Sequence, residues 1–230
     1  MKKKFFVIGL GNFGFSLAKT LEGNGCEVLG IDTSRELVER SMDYLSHAVI
    51  GDASNKDTLK SLMETDFDGA IVSIGHDMSP SILVSLYLLE FGIERIIVRA
   101  MSEEHGKILN LIGISEVIYP ETEMAVRLAN KLSKKNAVDY LPLDEDYSII
   151  EAMPPKSFWS KSLKELNITS RFNCQVIALK YSSDKLKRED AEMAINSLKI
   201  PPKADDIITE NSIMILIGKN SDIERFLAIK

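Results

Sequence analysis

The stretch Phe5-Phe6-Val7-Ile8-Gly9-Leu10-Gly11-Asn12-Phe13-Gly14 decides the fold. Four consecutive apolar residues read as a buried strand, and the GxGxxG turn directly behind them reads as the strand-to-helix turn of a nucleotide-binding βαβ unit. In that geometry Gly9 makes the tight turn out of the strand, Gly11 lets backbone amides come close to a phosphate, and Gly14 lets the following helix pack against the sheet. The phosphate then sits at a helix N-terminus, where free N–H groups and the dipole favour negative charge. Outward from this turn, Val28-Leu29-Gly30-Ile31 predicts a second strand ending on Asp32 and Thr33, with Asp32 18 residues past Gly14. A carboxylate at that place can accept hydrogen bonds from both ribose hydroxyls. Three glycines at this spacing also make an ordinary turn. The strand before them, the amphipathic segment Phe15–Gly23 after them and the acid at the end of the second strand turn the reading toward a bound nucleotide.

Composition bounds the rest. At 230 residues the chain is long for one doubly wound domain and short for a dehydrogenase with a full catalytic domain, so one nucleotide domain plus a small second lobe fits. A hydrophobic content of 45% supports a real core, and a net charge of −6 argues against nucleic acid, whose binding rests on neutralising phosphates with Lys and Arg. No apolar run is long enough to span a bilayer, and Met1-Lys2-Lys3-Lys4 leads straight into the first strand, so the expected location is cytoplasmic. Cys26 and Cys174 sit in or beside apolar strands with no CxxC pair, and read as core thiols.

Through the first 140 positions short apolar runs alternate with helical-period segments, the mark of a parallel sheet. Strands are predicted at 4–9, 27–31, 47–51, 69–74, 95–99 and 116–119, with helices at 15–22, 35–43, 55–63, 80–91 and 103–111 between them. A longer helix over Glu121–Lys135 carries Met124, Ala125, Leu128, Ala129 and Leu132 on one stripe. Val138–Asp146, with its Pro and acids, is expected to be the domain boundary. The remainder reads as strand 147–153, helix 160–166, strands 175–181 and 213–218, and a closing helix 221–228, with the charged Ser182–Asn196 as a solvated insertion. The expected fold class is therefore α/β: a Rossmann-like doubly wound parallel sheet with a long helix in residues 1–140, and a small α+β lobe in 141–230.

Several blocks taken together carry a family resemblance: Val7–Gly14, Gly30-Ile31-Asp32, Gly51-Asp52-Ala53-Ser54, Ile71-Val72-Ser73-Ile74-Gly75, Ile97-Val98-Arg99-Ala100, and Gly113–Glu123 with its Tyr119-Pro120-Glu121 core. In order and spacing they resemble the RCK (regulator of potassium conductance) family, also called KTN or TrkA-N plus TrkA-C, and within it the gating subunits of bacterial Ktr potassium uptake systems. The resemblance implies a nucleotide domain that binds ATP, ADP, AMP or NAD(H), a long helix that crosses to a partner subunit, and homodimers that assemble into an octameric ring. It also implies a membrane-embedded potassium-transporter subunit of the KtrB/TrkH kind, gated by the change in ring shape when nucleotide exchanges. On these positions Gly9, Gly11, Asn12, Phe13, Gly14, Asp32, Thr33, Asp52, Ala53, Ser73, Ile74, Gly75, His76 and Arg99 are expected around the nucleotide. Each has a plainer reading as well. Asp52 either recognises the adenosine end or caps a helix, Ser73–Gly75 either pack on the nucleotide or end a strand, and Arg99 faces phosphates, a neighbouring subunit or solvent. Glu121 improves a helix N-terminus by itself, and the resemblance implies a further role in holding a magnesium, calcium or sodium ion.

Two positions depart from the family's pattern. Asn12 stands where many members carry an Arg that reaches the terminal phosphate of ATP, and an amide cannot neutralise that charge. This favours ADP, AMP or NAD(H). Thr169 stands where an Arg binds cyclic di-AMP in the C-terminal lobe of several members, although Arg171 lies close by. An NAD-dependent oxidoreductase would use the same glycine motif, but after Lys135 the chain has no His to move a proton. A free-standing nucleotide or redox sensor is the other alternative. The expectation is a regulator and not an enzyme.

Overall fold

The structure, a computed structural model, describes residues 2–63, 66–75, 77–133, 136–181 and 198–229. They fall into two compact units, Met1–Glu121 and Thr122–Lys230. The first unit alternates strand and helix as the sequence pattern demands: β1 Lys4–Ile8, α1 Asn12–Gly23, β2 Glu27–Asp32, α2 Arg35–Met42, β3 His47–Ile50, α3 Lys56–Ser61, β4 Gly69–Val72, α4 Met78–Glu90, β5 Ile96–Arg99, α5 Glu103–Leu111 and β6 Glu116–Ile118. The strands form one parallel sheet in the order β3-β2-β1-β4-β5-β6. Helices cover both faces, which is why Phe6, Val7 and Ile8 of β1 are all buried although neighbouring side chains point to opposite sides. Phe6, Ile8, Val72, Val84, Leu88 and Leu109 share one core. Val7, Leu10, Ala18, Val28, Val38 and Ile71 share the other.

Strand order reverses at β1, which pairs with β2 on one side (Ile8 beside Ile31) and with β4 on the other (Ile8 beside Val72). The loops at the carboxyl ends of these strands part there, and a crevice opens at the switch point. The helix starts around it are not alike. Side chains cap α2 through Ser34, α3 through Asn55, α4 through Asp77 and α5 through Ser102, each accepting a backbone N–H of the first turn. The N-cap of α1 is Gly11, which has no side chain to offer.

The second unit holds a four-stranded antiparallel sheet, β7 Ala137–Pro142, β8 Tyr147–Ala152, β9 Gln175–Tyr181 and β10 Ser212–Lys219, in the order β7-β8-β10-β9. Short helices α7 Leu163–Leu166 and α8 Ile168–Phe172 and the closing helix α9 Asn220–Leu227 complete it. Its core gathers Ile150, Leu166, Leu179, Met214, Leu216 and Phe226. Helix α6, Pro120–Ser133, carries no buried residue, and its Met124, Leu128 and Leu132 are exposed.

Three expectations are corrected. Val138–Asp146 is not a break: its first half is β7, whose Tyr140 is buried and whose hydroxyl accepts a hydrogen bond from Ser148 Oγ at 2.6 Å. The acids that suggested a linker make the β7–β8 turn, where Asp144 Oδ1 accepts from the backbone N–H groups of Asp146 and Tyr147 at 2.8 and 2.7 Å. The helix expected over 160–166 shrinks to α7, because Ser160 has φ +62° and the helix starts only at the capping box of Ser162 and Glu165. Residues 168–172, unassigned from sequence, form α8. The charged insertion 182–196 lies outside the described residues.

Candidate functional site

The crevice at the β1/β4 switch point is a cavity of about 770 Å³, lined from the ends of β1, β2, β3, β4 and β5 and the starts of α1, α4 and α6. That volume lies within the roughly 300–1,000 Å³ of small-molecule sites. Three glycines build its floor, each for a different reason. Gly9 has φ +92°, and a Cβ there would stand 2.9 Å from the Ser73 carbonyl oxygen. A Cβ on Gly14 would overlap the Gly9 carbonyl oxygen and lie 3.2 Å from Ser73 Oγ, so this glycine lets α1 lie against β1. Gly11 has an ordinary backbone, φ −60° and ψ −173°, and nothing within 4 Å of where its Cβ would be. No steric or backbone requirement of the protein explains a glycine there. Gly11 lines the cavity, and the open space above it leaves room for a ligand.

Asp32 closes β2 and organises this turn. Its Oδ2 accepts the Leu10 N–H at 2.7 Å and its Oδ1 accepts the Ser34 N–H at 2.8 Å. A carboxylate has about four acceptor sites, so capacity remains toward the cavity, which Asp32 and Thr33 both line. Asn12 and Phe13 line it from the first turn of α1. That turn has no acidic residue and no side-chain cap, and among the described residues its leading N–H groups, beside the cavity, have no protein partner.

Asp52 and Ala53 form another wall after β3. Asp52 is not the helix cap that its plainer reading proposed: Asn55 caps α3, and Asp52 Oδ1 accepts from the N–H and hydroxyl of Ser54 at 2.9 and 2.6 Å. Ser73, Ile74 and Gly75 follow β4 and line the opposite side. Ser73 Oγ is buried without a hydrogen-bond partner among the described residues. Gly75 lies under Arg99, where a Cβ would stand 2.7 Å from the guanidinium Nη1. Arg99 reaches across this turn to Glu121 and pairs with it through both oxygens, Nη2 to Oε1 and Nε to Oε2 at 3.3 Å. The guanidinium holds the Glu121 carboxyl below the usual carboxylate range.

Of the residues singled out from sequence, thirteen line the cavity: Gly9, Gly11, Asn12, Phe13, Asp32, Thr33, Asp52, Ala53, Ser73, Ile74, Gly75, Arg99 and Glu121. Gly14 is the correction, since it is buried beneath the turn and does not reach the surface. His76 lies outside the described residues. The site residues expected from sequence did not include Ile8, Ile31, Ser34, Leu37, Gly51, Ser54, Asp77 and Pro80, which also line it. Ser34 and Asp77 were findable as polar residues opening helices directly behind strand ends. Leu37 and Pro80 are apolar wall, and nothing in the chain marks them apart from core.

Charge in the cavity is uneven. Asp32, Asp52, Asp77 and Glu121 face it, against the single cation Arg99 among the described residues, and that cation is already paired. Phosphate binding would therefore lean on the amides of α1. No His, Lys, Tyr or Cys lines the cavity among the described residues. Nor do three or more His, Cys, Asp or Glu side chains gather into a metal site among them. In the second unit, Arg171 donates to the Leu166 carbonyl at 3.2 Å and lies over the rings of Phe158 and Phe172, a use that engages it locally. No helix among the described residues is long and apolar enough to cross a membrane.

Comparison with known proteins agrees with this architecture. Ktr system potassium uptake protein C of Bacillus subtilis (strain 168) is 35% identical over 226 residues, covering 98% of this chain and 96% of that protein. Ktr system potassium uptake protein A of the same organism is 36% identical over 97% of this chain and 95% of its own length. Among solved structures, the GsuK RCK domain superposes over the whole chain with a TM-score of 0.67 at 17% identity, the match spanning 48% of that chain. A GsuK channel bound to NAD gives a TM-score of 0.66 at 17% identity over 40% of its chain. Residues 5–120, the stretch that builds the parallel sheet and the crevice, match the TrkA-N domain, and this chain belongs to the TrkA-N family.

Proposed function

We propose that this chain is a nucleotide-operated regulatory subunit of a potassium uptake system, working without catalysis. The observation that carries the reading is the open space over Gly11 beside the uncapped start of α1, with the Asp32 carboxylate at the end of the neighbouring strand. A diphosphate suits that turn and a ribose suits that acid. The relatives named as Ktr potassium uptake proteins, matched over nearly their full length, supply the biological setting.

The preferred ligands are ADP, AMP and NAD(H), ahead of ATP. Asn12 brings no charge to a third phosphate, and three further carboxylates besides Asp32 face the cavity. Glu121, at the start of α6, would contribute to a magnesium, calcium or sodium site only with ligands from outside the described residues and on release from Arg99. Cyclic di-AMP is the candidate ligand of the second unit, and it would need Arg171 to leave its contacts with Leu166, Phe158 and Phe172. The exposed stripe on α6 is the surface that a second copy covers in a homodimer, with an octameric ring as the assembled form and a membrane-embedded potassium-transporter subunit as the partner that keeps it on the cytoplasmic face. Gating then draws on the difference in nucleotide affinity between two ring states.

A melting panel with ATP, ADP, AMP, NAD, NADH and cyclic di-AMP, each with and without magnesium, tests the core of this. A ligand at 100 times its Kd raises stability by about 2.7 kcal/mol, so ADP or NAD(H) should raise Tm by several degrees, and Asp32→Ala should erase the shift. Silence of every adenine nucleotide would sink the proposal, and so would steady turnover of NADH with a small carbonyl compound.

A further inference from the structure

We propose that Arg40, which does not line the cavity, is a positioning residue for its anion-binding end: it holds the Leu10–Gly11 peptide so that the Gly11 N–H faces the ligand. The inference rests on the nucleotide reading of the crevice and adds a residue to it. Arg40 lies on the last turn of α2, 30 positions from the glycine turn, and its Nη2 donates to the Leu10 carbonyl at 3.0 Å. The guanidinium carbon also sits 4.4 Å above the ring of Phe15, the residue directly after Gly14. Phe15 is in turn held edge-on by Tyr44, with centroids 5.6 Å apart. Arg40 is thus pinned at two points, by a charge-assisted hydrogen bond and by an aromatic face.

The geometry of one peptide group does the rest. Carbonyl and N–H of a trans peptide point in opposite directions. With the Leu10 oxygen drawn toward α2, the N–H of Gly11 is turned the other way. Gly11 lines the cavity and Arg40 does not, and the Gly11 N–H has no protein acceptor among the described residues. The preceding peptide is fixed separately, because the Leu10 N–H is bound to Asp32. Residue 11 is a glycine, so the peptide before it can rotate to the opposite orientation without a Cβ to oppose it. The feature that leaves room for a ligand also leaves the amide free to turn away. Arg40 supplies the missing restraint.

Isothermal titration of the full chain with ADP and, separately, with adenosine provides the test. Arg40→Met keeps an apolar stem against Phe15 and removes the donor. It should bind ADP about ten-fold more weakly, the size expected for losing the alignment of one hydrogen bond to a charged group, and adenosine within about two-fold of the parent. Arg35→Met, on the exposed side of the same helix and paired only with Glu39, removes an equal charge and should bind both ligands as the parent does. The Gly11 amide resonance of the unliganded protein should move in Arg40→Met and stay in Arg35→Met. Unchanged ADP affinity in Arg40→Met, equal losses for ADP and adenosine, or an equal ADP loss in Arg35→Met would each overturn the role of Arg40 alone. A parent protein that binds neither ligand would overturn the nucleotide reading, and the role of Arg40 with it.

Discussion

Substituting alanine one at a time for Gly9, Gly11 and Gly14 separates the building of the turn from its use. Gly11→Ala places a methyl group in open space on a backbone that any L-residue adopts, φ −60° and ψ −173°. The folded protein therefore loses little, about 0.5–1 kcal/mol for a poorer helix N-cap. Binding loses much more. The methyl group stands where a phosphate must approach the α1 amides, and forfeiting one charge-assisted N–H contact costs about 1.5–3 kcal/mol, or roughly ten- to a hundred-fold in Kd. Gly14→Ala does the reverse. Its Cβ would overlap the Gly9 carbonyl oxygen, and the contact is backbone to backbone, so neither side yields without lifting α1 from β1. Overpacking of this kind costs about 3 kcal/mol or more. Gly9→Ala pays for φ +92° and for a Cβ 2.9 Å from the Ser73 oxygen, about 1–3 kcal/mol together. Urea denaturation reads the stabilities, and calorimetric titration with ADP and NAD reads the affinities. If Gly11→Ala binds as tightly as the parent, the ligand does not sit on this turn. If Gly14→Ala keeps full stability, the close packing of α1 has been misjudged.

Other outcomes follow from charge and burial. Glu121 ionises below its ordinary 4.5 because Arg99 pairs with it, so the stabilisation from that pair is complete above 4.5 and disappears as pH falls through the lower folded value. A carbon-13 carboxyl titration should show the Glu121 midpoint return toward 4.5 in Arg99→Met, and no movement would mean the pair is absent in solution. Cys174 is fully buried and burial pushes its thiol from 9.0 up to about 11, with Asp222 adding to the effect. Its contribution to stability is complete below pH 9.0 and fades toward about 11. At pH 8 a thiol reagent should modify the half-buried Cys26 first and Cys174 only on the timescale of unfolding. Rapid double labelling of the folded protein would count against the second core.

The first unit was legible because each local signal agreed with the next. Apolar runs of strand length, helix starts at Ser34, Asn55 and Ser102, and glycines at strand ends all demand the same alternation. The glycine turn and Asp32 were legible from the same signals, while the family resemblance supplied most of the thirteen residues that meet in one cavity. What escaped notice was set by tertiary contact. Arg99 is expected at the site, but not its pairing with Glu121 or the place of Gly75 beneath it. Leu37 and Pro80 carry no local mark. In the second unit the signals conflicted. Pro142 and three consecutive acids looked like a break, although Pro is tolerated at the end of an edge strand and the acids serve the turn behind it. Short α7 and α8 fall below the length at which a helical period shows itself.

Four helices of the first unit are sealed at their starts by a side chain, and α1 is left open. A cap of this kind is worth about 1 kcal/mol, so the empty chain keeps its weakest end where the guest belongs. On the proposed nucleotide reading, the resistance of the protein to proteases is expected to rise with the supply of that guest. Where the ligand is scarce, the unliganded chain spends more time open and is cleared sooner; where it is plentiful, the same sequence persists. An unguarded helix start can in this way set how many copies are present as well as the state each of them is in.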